Sequence, residues 1–333
     1  MSYTFAELKG VDAMLPPFTT ADSHDIRAKD TIDVDNLAAG VDRLVRDGVQ
    51  VISTCSGSGE GWNMLWEEFK TQTRTTLEAV DKRAAVFIGV TSANPRETVQ
   101  KMEFVREAGG EGVLIGLPYY HALSIPNVIA YYGTLADMFP DLSISLYHNP
   151  VEFKVHIPVS AYEEFVKHPN IVAQKDSHRT PLEFMKLQDV IQGKIAHFVN
   201  ATQLYPYYEM GASGCWSFDI FMGPWPVLRG YQAVVDGDTE TAKRIMKEIS
   251  GRGGSGRSGA RDPLLAEGGS GRTPQELAGY IKPGPARPPH FEAHVGDERA
   301  QAWADRWLKL CEKYRPEVEA WRAAHEAPSA VRS

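Results

Sequence analysis

The chain has 333 residues, of which 43% are hydrophobic, and its 35 basic and 43 acidic side chains give a formal net charge of −8. This length suits either one large α/β barrel with an appendage or two smaller domains. A negative balance of charge provides no basic surface for nucleic acid or for an anionic membrane. We therefore expect neither of these partners.

The cysteines and histidines indicate the compartment and the kind of chemistry. Cys55, Cys215 and Cys311 are too widely spaced for a disulfide framework or a CxxC metal motif. Glu7 and Lys9 interrupt the N-terminal stretch where a signal peptide would be apolar. We expect a cytoplasmic protein. Most of the ten histidines are isolated in the sequence, so we expect no catalytic metal.

Short apolar runs alternate with segments of helical periodicity, which predicts successive βα units and a parallel sheet. Eight units over roughly 250 residues are typical of a closed (β/α)8 TIM barrel, and a doubly wound open sheet is the alternative. The predicted strands are Ala13–Phe18, Gln50–Thr54, Ala85–Thr91, Gly112–Leu117, Ser143–Tyr147, Ile171–Lys175, Ile195–Asn200 and Gly214–Phe218. The predicted helices include Asp35–Arg46, Glu67–Asp81, Pro95–Ala108, Asn127–Met138, Ser160–Lys167 and Pro181–Val190.

The composition divides the chain into a barrel (residues 1–250), a glycine-rich loop (251–272) and a C-terminal extension (273–333). Eight of the 23 residues from Ser250 to Arg272 are glycine, which is typical of a flexible linker. A proline-rich stretch follows, and then a helix from about Asp297 to His325. We expect this helix to pack on the outside of the barrel or on a neighbouring subunit, and the last eight residues to fray. Its apolar positions at helical spacing are Trp303, Trp307, Leu310 and Tyr314.

Two strand ends carry side chains suited to carbonyl chemistry, and active sites of α/β barrels lie where strands end. The sixth predicted strand ends on Lys175 and the fifth on Tyr147. A lysine facing a barrel interior has a lowered pKa and acts as a nucleophile toward carbonyls, and a neighbouring phenol could move protons. Together they favour a Schiff-base enzyme. The alternatives are a rim lysine paired with Asp176 and a tyrosine of the core.

The second strand leads into the turn Cys55–Glu60, with the sequence CSGSGE. Its glycines allow close approach of a ligand, and its backbone N–H groups and hydroxyls could hold a carboxylate. The turn lacks the GxGxxG or Walker spacing, so a nucleotide phosphate is not expected. An ordinary loop is the alternative.

Five short motifs follow one another in a familiar order. They are Pro16–Thr19, the turn Ser56–Glu60 with Trp66–Glu68, Leu117–Tyr120, Leu146–Pro150 and Lys175–Ser177. In this order the chain resembles the dihydrodipicolinate synthase and N-acetylneuraminate lyase superfamily of pyruvate-handling class I aldolases. The resemblance implies a Schiff base between Lys175 and pyruvate without another cofactor, and proton relay by Tyr147. It further implies that the turn at Gly57 and Ser58 binds the pyruvate carboxylate, although Gly57 stands where the usual turn has threonine.

Further stretches resemble the hydratase-aldolases that cleave benzylidenepyruvates into pyruvate and an aromatic aldehyde. These stretches are Ala21–Asp35, Asn149–Lys154, Gly223–Pro226 and Ala278–Pro289. The resemblance implies an aryl-substituted 2-oxobut-3-enoate as substrate and a homotrimer or homotetramer, in which Tyr120 closes the site from its own or a neighbouring subunit. Trp216, at the end of the eighth strand, is the best candidate for contact with the aryl ring, and barrel packing is its alternative role. Trp62 and Trp225 are weaker candidates.

Several other functions remain open at this stage. One is a different pyruvate aldolase or dehydratase, acting on a sugar acid or an amino-acid precursor. Others are a metal-dependent aldolase and a non-catalytic barrel that binds a small acid. Aromatic side chains in the predicted loops favour the aryl substrate: Trp62, Phe153, Trp216, Phe218 and Trp225. An ortho carboxyl or hydroxyl group on that ring could meet His121, His148, His178 or Arg179.

Overall fold

The computed structural model describes residues 3–250, 272–289 and 298–325. Eight parallel strands form a closed barrel in chain order, in which the eighth strand pairs with the first. The predicted (β/α)8 barrel is confirmed. The strands are β1 (Gly10–Met14), β2 (Val51–Thr54), β3 (Ala85–Gly89), β4 (Gly112–Ile115), β5 (Ser143–Tyr147), β6 (Ile171–Lys175), β7 (Ala196–Asn200) and β8 (Gly214–Trp216).

Helices cover the outside of the barrel, and their starts follow the capping residues of the sequence. Asn94 accepts a hydrogen bond from the N–H of Arg96, and Thr180 forms a reciprocal capping box with Glu183. The α-helices are Val34–Arg46, Trp66–Val80, Pro95–Glu107, Ile125–Met138, Pro150–Phe153, Val159–Phe165, Pro181–Ile191, Leu204–Glu209, Trp225–Val235, Thr239–Ser250, Arg272–Ala278 and Glu298–His325. The short 3-10 turns are Phe5–Glu7, Gly61–Asn63, Ala201–Gln203 and Asp219–Met222.

The first strand differs from its prediction. It covers Gly10–Met14, and the predicted range was Ala13–Phe18. Pro16 and Pro17 lack the N–H that a central strand needs, so the chain leaves the sheet before them. The start was missed because Asp12 interrupts the apolar run, yet all five residues of β1 are buried.

The C-terminal helix Glu298–His325 packs against the helix Trp225–Val235 on the outside of the barrel, which is one of its two predicted positions. The indole N–H of Trp307 donates to the carbonyl of Gly223 at 2.9 Å, and the hydroxyl of Tyr314 donates to Glu248 at 2.8 Å. Buried aromatic side chains with polar tips thus attach this helix to the barrel.

The segment that precedes this helix lies against the start of the chain. The N–H of Thr19 donates to the carbonyl of Pro283 at 2.9 Å. Arg272 begins a helix and so does not belong to the predicted loop. The rest of that loop and the predicted frayed end, residues 251–271 and 326–333, lie outside the described residues. The division into three parts stays a prediction. No helix in the described part of the chain is long and apolar enough to cross a membrane.

Candidate active site

Lys175 and Tyr147 are direct partners in the register of β6 and β5, at the carboxyl ends of both strands. The Lys175 side chain is buried. Its Nζ lies 4.8 Å from the centroid of the Tyr147 ring and 3.9 Å from that of Trp216. Two aromatic faces therefore surround an amine whose position inside the barrel is fixed by strand pairing.

The environment of Lys175 makes its amine available as a nucleophile. Burial lowers the pKa of Lys175 to about 8, against the opposing effect of the negative charges of Glu152, Asp176 and Asp12. At pH 7 about a tenth of the amine is therefore uncharged, against less than about a thousandth at its ordinary pKa of 10.5. A neutral amine in a closed apolar site can attack a ketone and form an imine.

Asp176, the alternative partner of Lys175, is bound elsewhere. Its Oδ2 lies 2.8 Å from Nδ1 of His148 and 2.7 Å from Nε of Arg179. Against the effect of burial, the hydrogen bond from His148 and the charge of Arg179 hold the pKa of Asp176 well below its usual range. His148 accepts the N–H of Ile157 at Nε2, which leaves its proton on Nδ1, facing the carboxylate. In the structure Asp176 thus pairs with His148 and Arg179 and not with Lys175.

The same network contains two of the candidates for contact with an ortho substituent. His148 and Arg179 are buried and contact Asp176, and their contact with a substrate ring stays a prediction. His178 is only partly buried. Burial and the charge of Lys175 lower the pKa of His178 to about 4, so its ring is neutral at physiological pH. His121 is exposed on the loop after β4.

The Tyr147 hydroxyl lies among polar groups from two loops. It hydrogen-bonds to the backbone N–H of Gly57 and the side chain of Asn149, and it donates to Oε2 of Glu152 at 3.4 Å. Burial and the negative charge of Glu152 raise the pKa of Tyr147 well above its usual value. The phenol therefore stays protonated at neutral pH, next to a carboxylate.

The turn after β2 contacts Tyr147 through the backbone N–H of Gly57, and its binding of the pyruvate carboxylate stays a prediction. Ser58 follows, partly buried, with its hydroxyl 3.5 Å from that of Ser56. The indole N–H of Trp62 donates to the carbonyl of Gly57 at 3.2 Å, which places this half-exposed ring at the rim of the site. The backbone N–H of Gly57 thus lies at the Tyr147 hydroxyl, and the hydroxyl-bearing Ser58 is the next residue of the turn.

Glu60 anchors the turn to a distant part of the chain. It adopts a left-handed conformation with φ 53°, and its buried carboxylate binds Arg272 and, at 3.1 Å, Arg287. Arg287 also donates from Nε to the hydroxyl of Thr31 at 2.7 Å. Because buried charges are stable only when paired, this cluster couples the turn to the segment that follows the barrel. The sequence motif contained Arg287, but nothing local indicated its partner.

Trp216 packs in the barrel core, which is the alternative role considered for it, and its contact with the aryl ring stays a prediction. It is 8% exposed and belongs to the core, and its ring covers the amine of Lys175. Its indole N–H donates to the hydroxyl of Ser177 at 2.9 Å, which fixes the ring plane. Trp225 is not part of the site, because its ring packs against Tyr280 on the outer layer, with centroids 5.4 Å apart.

Tyr120 lies on the surface, with 75% of its area exposed. The Nζ of Lys154 donates to the carbonyls of Tyr119 and Tyr120, at 2.7 and 3.1 Å, and so holds this loop near the end of β5. Closure of the site by Tyr120, like the homotrimer or homotetramer, stays a prediction.

Two carboxylates near the Lys175–Tyr147 pair were not predicted from the sequence. Asp12 points from β1 into the barrel, where its Oδ2 accepts the hydroxyl of Ser53 at 3.0 Å. Burial raises the pKa of Asp12 to about 7, although Ser53 and the charge of Lys175 oppose this. Its signal was a single acidic residue inside an apolar strand. Glu152, which contacts Tyr147, had no local signal.

The cysteines are buried and unpaired: Cys55, Cys215 and Cys311. Within residues 3–250, 272–289 and 298–325, no three His, Cys, Asp or Glu side chains form a group that could hold a metal ion.

A closed barrel with a buried, weakly basic lysine beside a phenol defines a class of α/β-barrel proteins equipped for imine chemistry. Residues 13–251 match the Dihydrodipicolinate synthetase family, and the chain belongs to this family.

Three comparisons show which known proteins the chain is similar to. It is 27% identical over 330 residues to the trans-2'-carboxybenzalpyruvate hydratase-aldolase of Nocardioides sp. (strain KP7), covering 93% of this chain and 96% of that protein. It is 28% identical over 240 residues to the 4-hydroxy-tetrahydrodipicolinate synthase of Exiguobacterium sibiricum, covering 71% and 78%. The solved structure described as "PhdJ bound to substrate intermediate" shares the fold with a TM-score of 0.86 at 24% identity, over 94% of this chain and 99% of that one.

Proposed function

We propose that the protein is a class I, pyruvate-dependent hydratase-aldolase that cleaves a benzylidenepyruvate into an aromatic aldehyde and pyruvate. The observation that carries the proposal is the buried amine of Lys175, held between the rings of Tyr147 and Trp216 at the carboxyl end of the barrel. The chemistry needs no external cofactor, because the imine of Lys175 is itself the electron sink.

The first half of the reaction is hydration. Lys175 attacks the C2 ketone and water leaves, which gives a protonated imine conjugated to the C3–C4 double bond. The imine withdraws electrons, so that a water molecule adds at C4 and C3 takes up a proton. Ser58 and the backbone N–H groups near Gly57 hold the substrate carboxylate.

The second half is cleavage. Removal of the proton from the C4 hydroxyl by Tyr147 lets the C3–C4 bond break, and its electron pair moves into the imine to form an enamine. The aromatic aldehyde leaves. Protonation of the enamine at C3 and hydrolysis of the imine then release pyruvate and regenerate Lys175.

The extent of the likeness favours this reaction over that of a synthase for an amino-acid precursor. The hydratase-aldolase of Nocardioides matches 93% of the chain, whereas the synthase of Exiguobacterium matches 71%. The aromatic surroundings of Lys175, with Trp216 over the amine and Trp62 at the rim, also suit an aryl group better than a sugar acid.

The test compares substrates on the purified protein. Benzylidenepyruvates with an ortho carboxyl, an ortho hydroxyl and no substituent are offered beside a hydroxylated sugar-type 2-oxo acid, and aldehyde and pyruvate are both quantified. We expect equimolar aromatic aldehyde and pyruvate. Faster cleavage of the sugar-type acid than of every benzylidenepyruvate would refute the proposal and leave only a pyruvate aldolase.

A further inference from the structure

Glu152 occupies the space above Gly57 in the pyruvate-side turn. A β-carbon at position 57 would lie 2.8 Å from Oε2 and 2.9 Å from Oε1 of Glu152. Such distances are shorter than van der Waals contact, so the Glu152 carboxylate could keep this position beside a larger residue at position 57 only by shifting. The glycine thus makes room for a carboxylate that reaches over the turn to the Tyr147 hydroxyl.

The position of Glu152 is set by a well-anchored turn of helix. The helix Pro150–Phe153 starts at Asn149, whose side chain accepts the N–H of Val151 at 3.2 Å. Phe153 is buried, with its ring edge-on to Tyr147 at 5.2 Å between centroids. These contacts fix the backbone on both sides of Glu152 and so place its carboxylate beside the Tyr147 hydroxyl.

Tyr147 needs a proton acceptor of its own. Because burial and the adjacent charge raise its pKa, the phenol is protonated at neutral pH and cannot serve as a base while it keeps its proton. It can take a proton from the substrate only if it passes its own proton on in the same step. Its hydroxyl already donates to Oε2 of Glu152, at 3.4 Å.

Glu152 also connects this buried phenol with solvent. The Tyr147 side chain is 5% exposed, whereas Glu152 is exposed. A carboxylate that contacts a buried hydroxyl at one end and water at the other can exchange its proton with the medium in every turnover. Tyr147 from β5 and Lys175 from β6 are among the titratable side chains that interact with it.

We propose that Glu152 accepts the proton of the Tyr147 hydroxyl whenever Tyr147 takes a proton from the substrate, and releases it to solvent. The proposal rests on the proposed function. In the cleavage step the O–H bond at C4 breaks and its proton binds the Tyr147 oxygen, while the Tyr147 proton moves to Oε2 of Glu152. The C4–O bond becomes the aldehyde C=O, and the C3–C4 electron pair forms the enamine and neutralises the imine nitrogen.

The same path serves pyruvate alone. When Tyr147 removes a proton from C3 of the pyruvate imine, its own proton passes to Glu152 and on to solvent. While the enamine persists, the proton now on Tyr147 exchanges with solvent by the same path before a proton is returned to C3. In deuterium oxide the methyl protons of pyruvate therefore exchange for deuterium. This reaction requires Lys175, Tyr147 and Glu152 but no aryl group.

The experiment uses Glu152→Gln, with Glu163→Gln as the matched control. Glu163 is an exposed residue of the helix Val159–Phe165, so both substitutions remove one negative charge. Turnover of a benzylidenepyruvate, deuterium exchange of pyruvate, and borohydride trapping of pyruvate on Lys175 are measured for each. We expect Glu152→Gln to keep the trapping and to lose about 10²- to 10⁴-fold in turnover and in exchange, the range for a lost proton-transfer group. Glu163→Gln should match the wild type.

A double variant separates proton transfer from support of the pocket. If Glu152 acts only through Tyr147, Tyr147→Phe with Glu152→Gln should be no slower than Tyr147→Phe alone. Three results would each overturn the inference. The first is a double variant whose loss of turnover equals the product of the two single losses. The second is a Glu152→Gln variant that turns over at the wild-type rate, and the third is a Glu152→Gln variant in which borohydride trapping falls as far as turnover does. If the wild type exchanges pyruvate protons but cleaves no benzylidenepyruvate, the proposed function fails, and the exchange rates of the same variants still decide the role of Glu152.

Discussion

Replacement of Asp12 by asparagine should stabilise the protein, and increasingly so as the pH rises. Asp12 is 4% exposed, and burial raises its pKa from 3.8 to about 7. Between these two values the folded state holds a proton that the unfolded state has lost, so this group makes the free energy of unfolding fall as the pH increases. Asparagine has nearly the same shape, can still accept the Ser53 hydroxyl, and does not titrate.

The size of the effect follows from the two pKa values. At 1.36 kcal/mol per pKa unit, the advantage of Asp12→Asn is about 2 kcal/mol at pH 5 and about 4 kcal/mol at pH 7.5. The gap between variant and wild type should therefore widen by about 2 kcal/mol over this range.

Urea unfolding followed by tryptophan fluorescence at both pH values measures this gap. Asp189→Asn, at an exposed position of the helix Pro181–Ile191, is the control and should leave the pH dependence unchanged. A wild type whose stability changes with pH in parallel with that of Asp12→Asn would refute the reasoning, because Asp12 would then titrate alike in both states.

Three further predictions concern the reaction. The rate of imine formation between pyruvate and Lys175 should rise with pH through a midpoint near 8, the lowered pKa of the lysine; a midpoint near its ordinary 10.5 would contradict this. Tyr147→Phe should lower turnover by about 10²- to 10⁴-fold while pyruvate is still trapped; near-full turnover would mean that another group moves the proton. Trp216→Ala should weaken benzylidenepyruvate binding by about 1–3 kcal/mol. It should also raise the pH midpoint of imine formation, because the ring covers the Lys175 amine. An unchanged midpoint together with an unchanged affinity would exclude Trp216 from the site.

Local patterns in the sequence were sufficient to predict the barrel and its central pair of residues. The alternation of apolar runs with helical segments is a local property, and strand register then places Tyr147 opposite Lys175. The start of β1 was wrong because Asp12 looks unlike a strand residue, although the closed barrel buries it. At this position the tertiary structure outweighs the low strand propensity of aspartate.

Contacts between distant segments could not be predicted in this way. Glu60 binds Arg272 and Arg287, which lie more than 200 positions further along the chain. Glu152 meets Gly57 across two loops. Neither pairing has a local period or a fixed spacing, so only the folded backbone brings these charges together.

Borohydride trapping with pyruvate, followed by peptide mass mapping, tests the central claim most directly. The imine of Lys175 is the electron sink for both halves of the proposed reaction, and its buried amine is the nucleophile. We predict irreversible loss of activity only when pyruvate and borohydride are both present, with a reduced pyruvyl group on Lys175 and none in Lys175→Ala. Labelling of a different lysine, or inactivation without any label, would contradict the account.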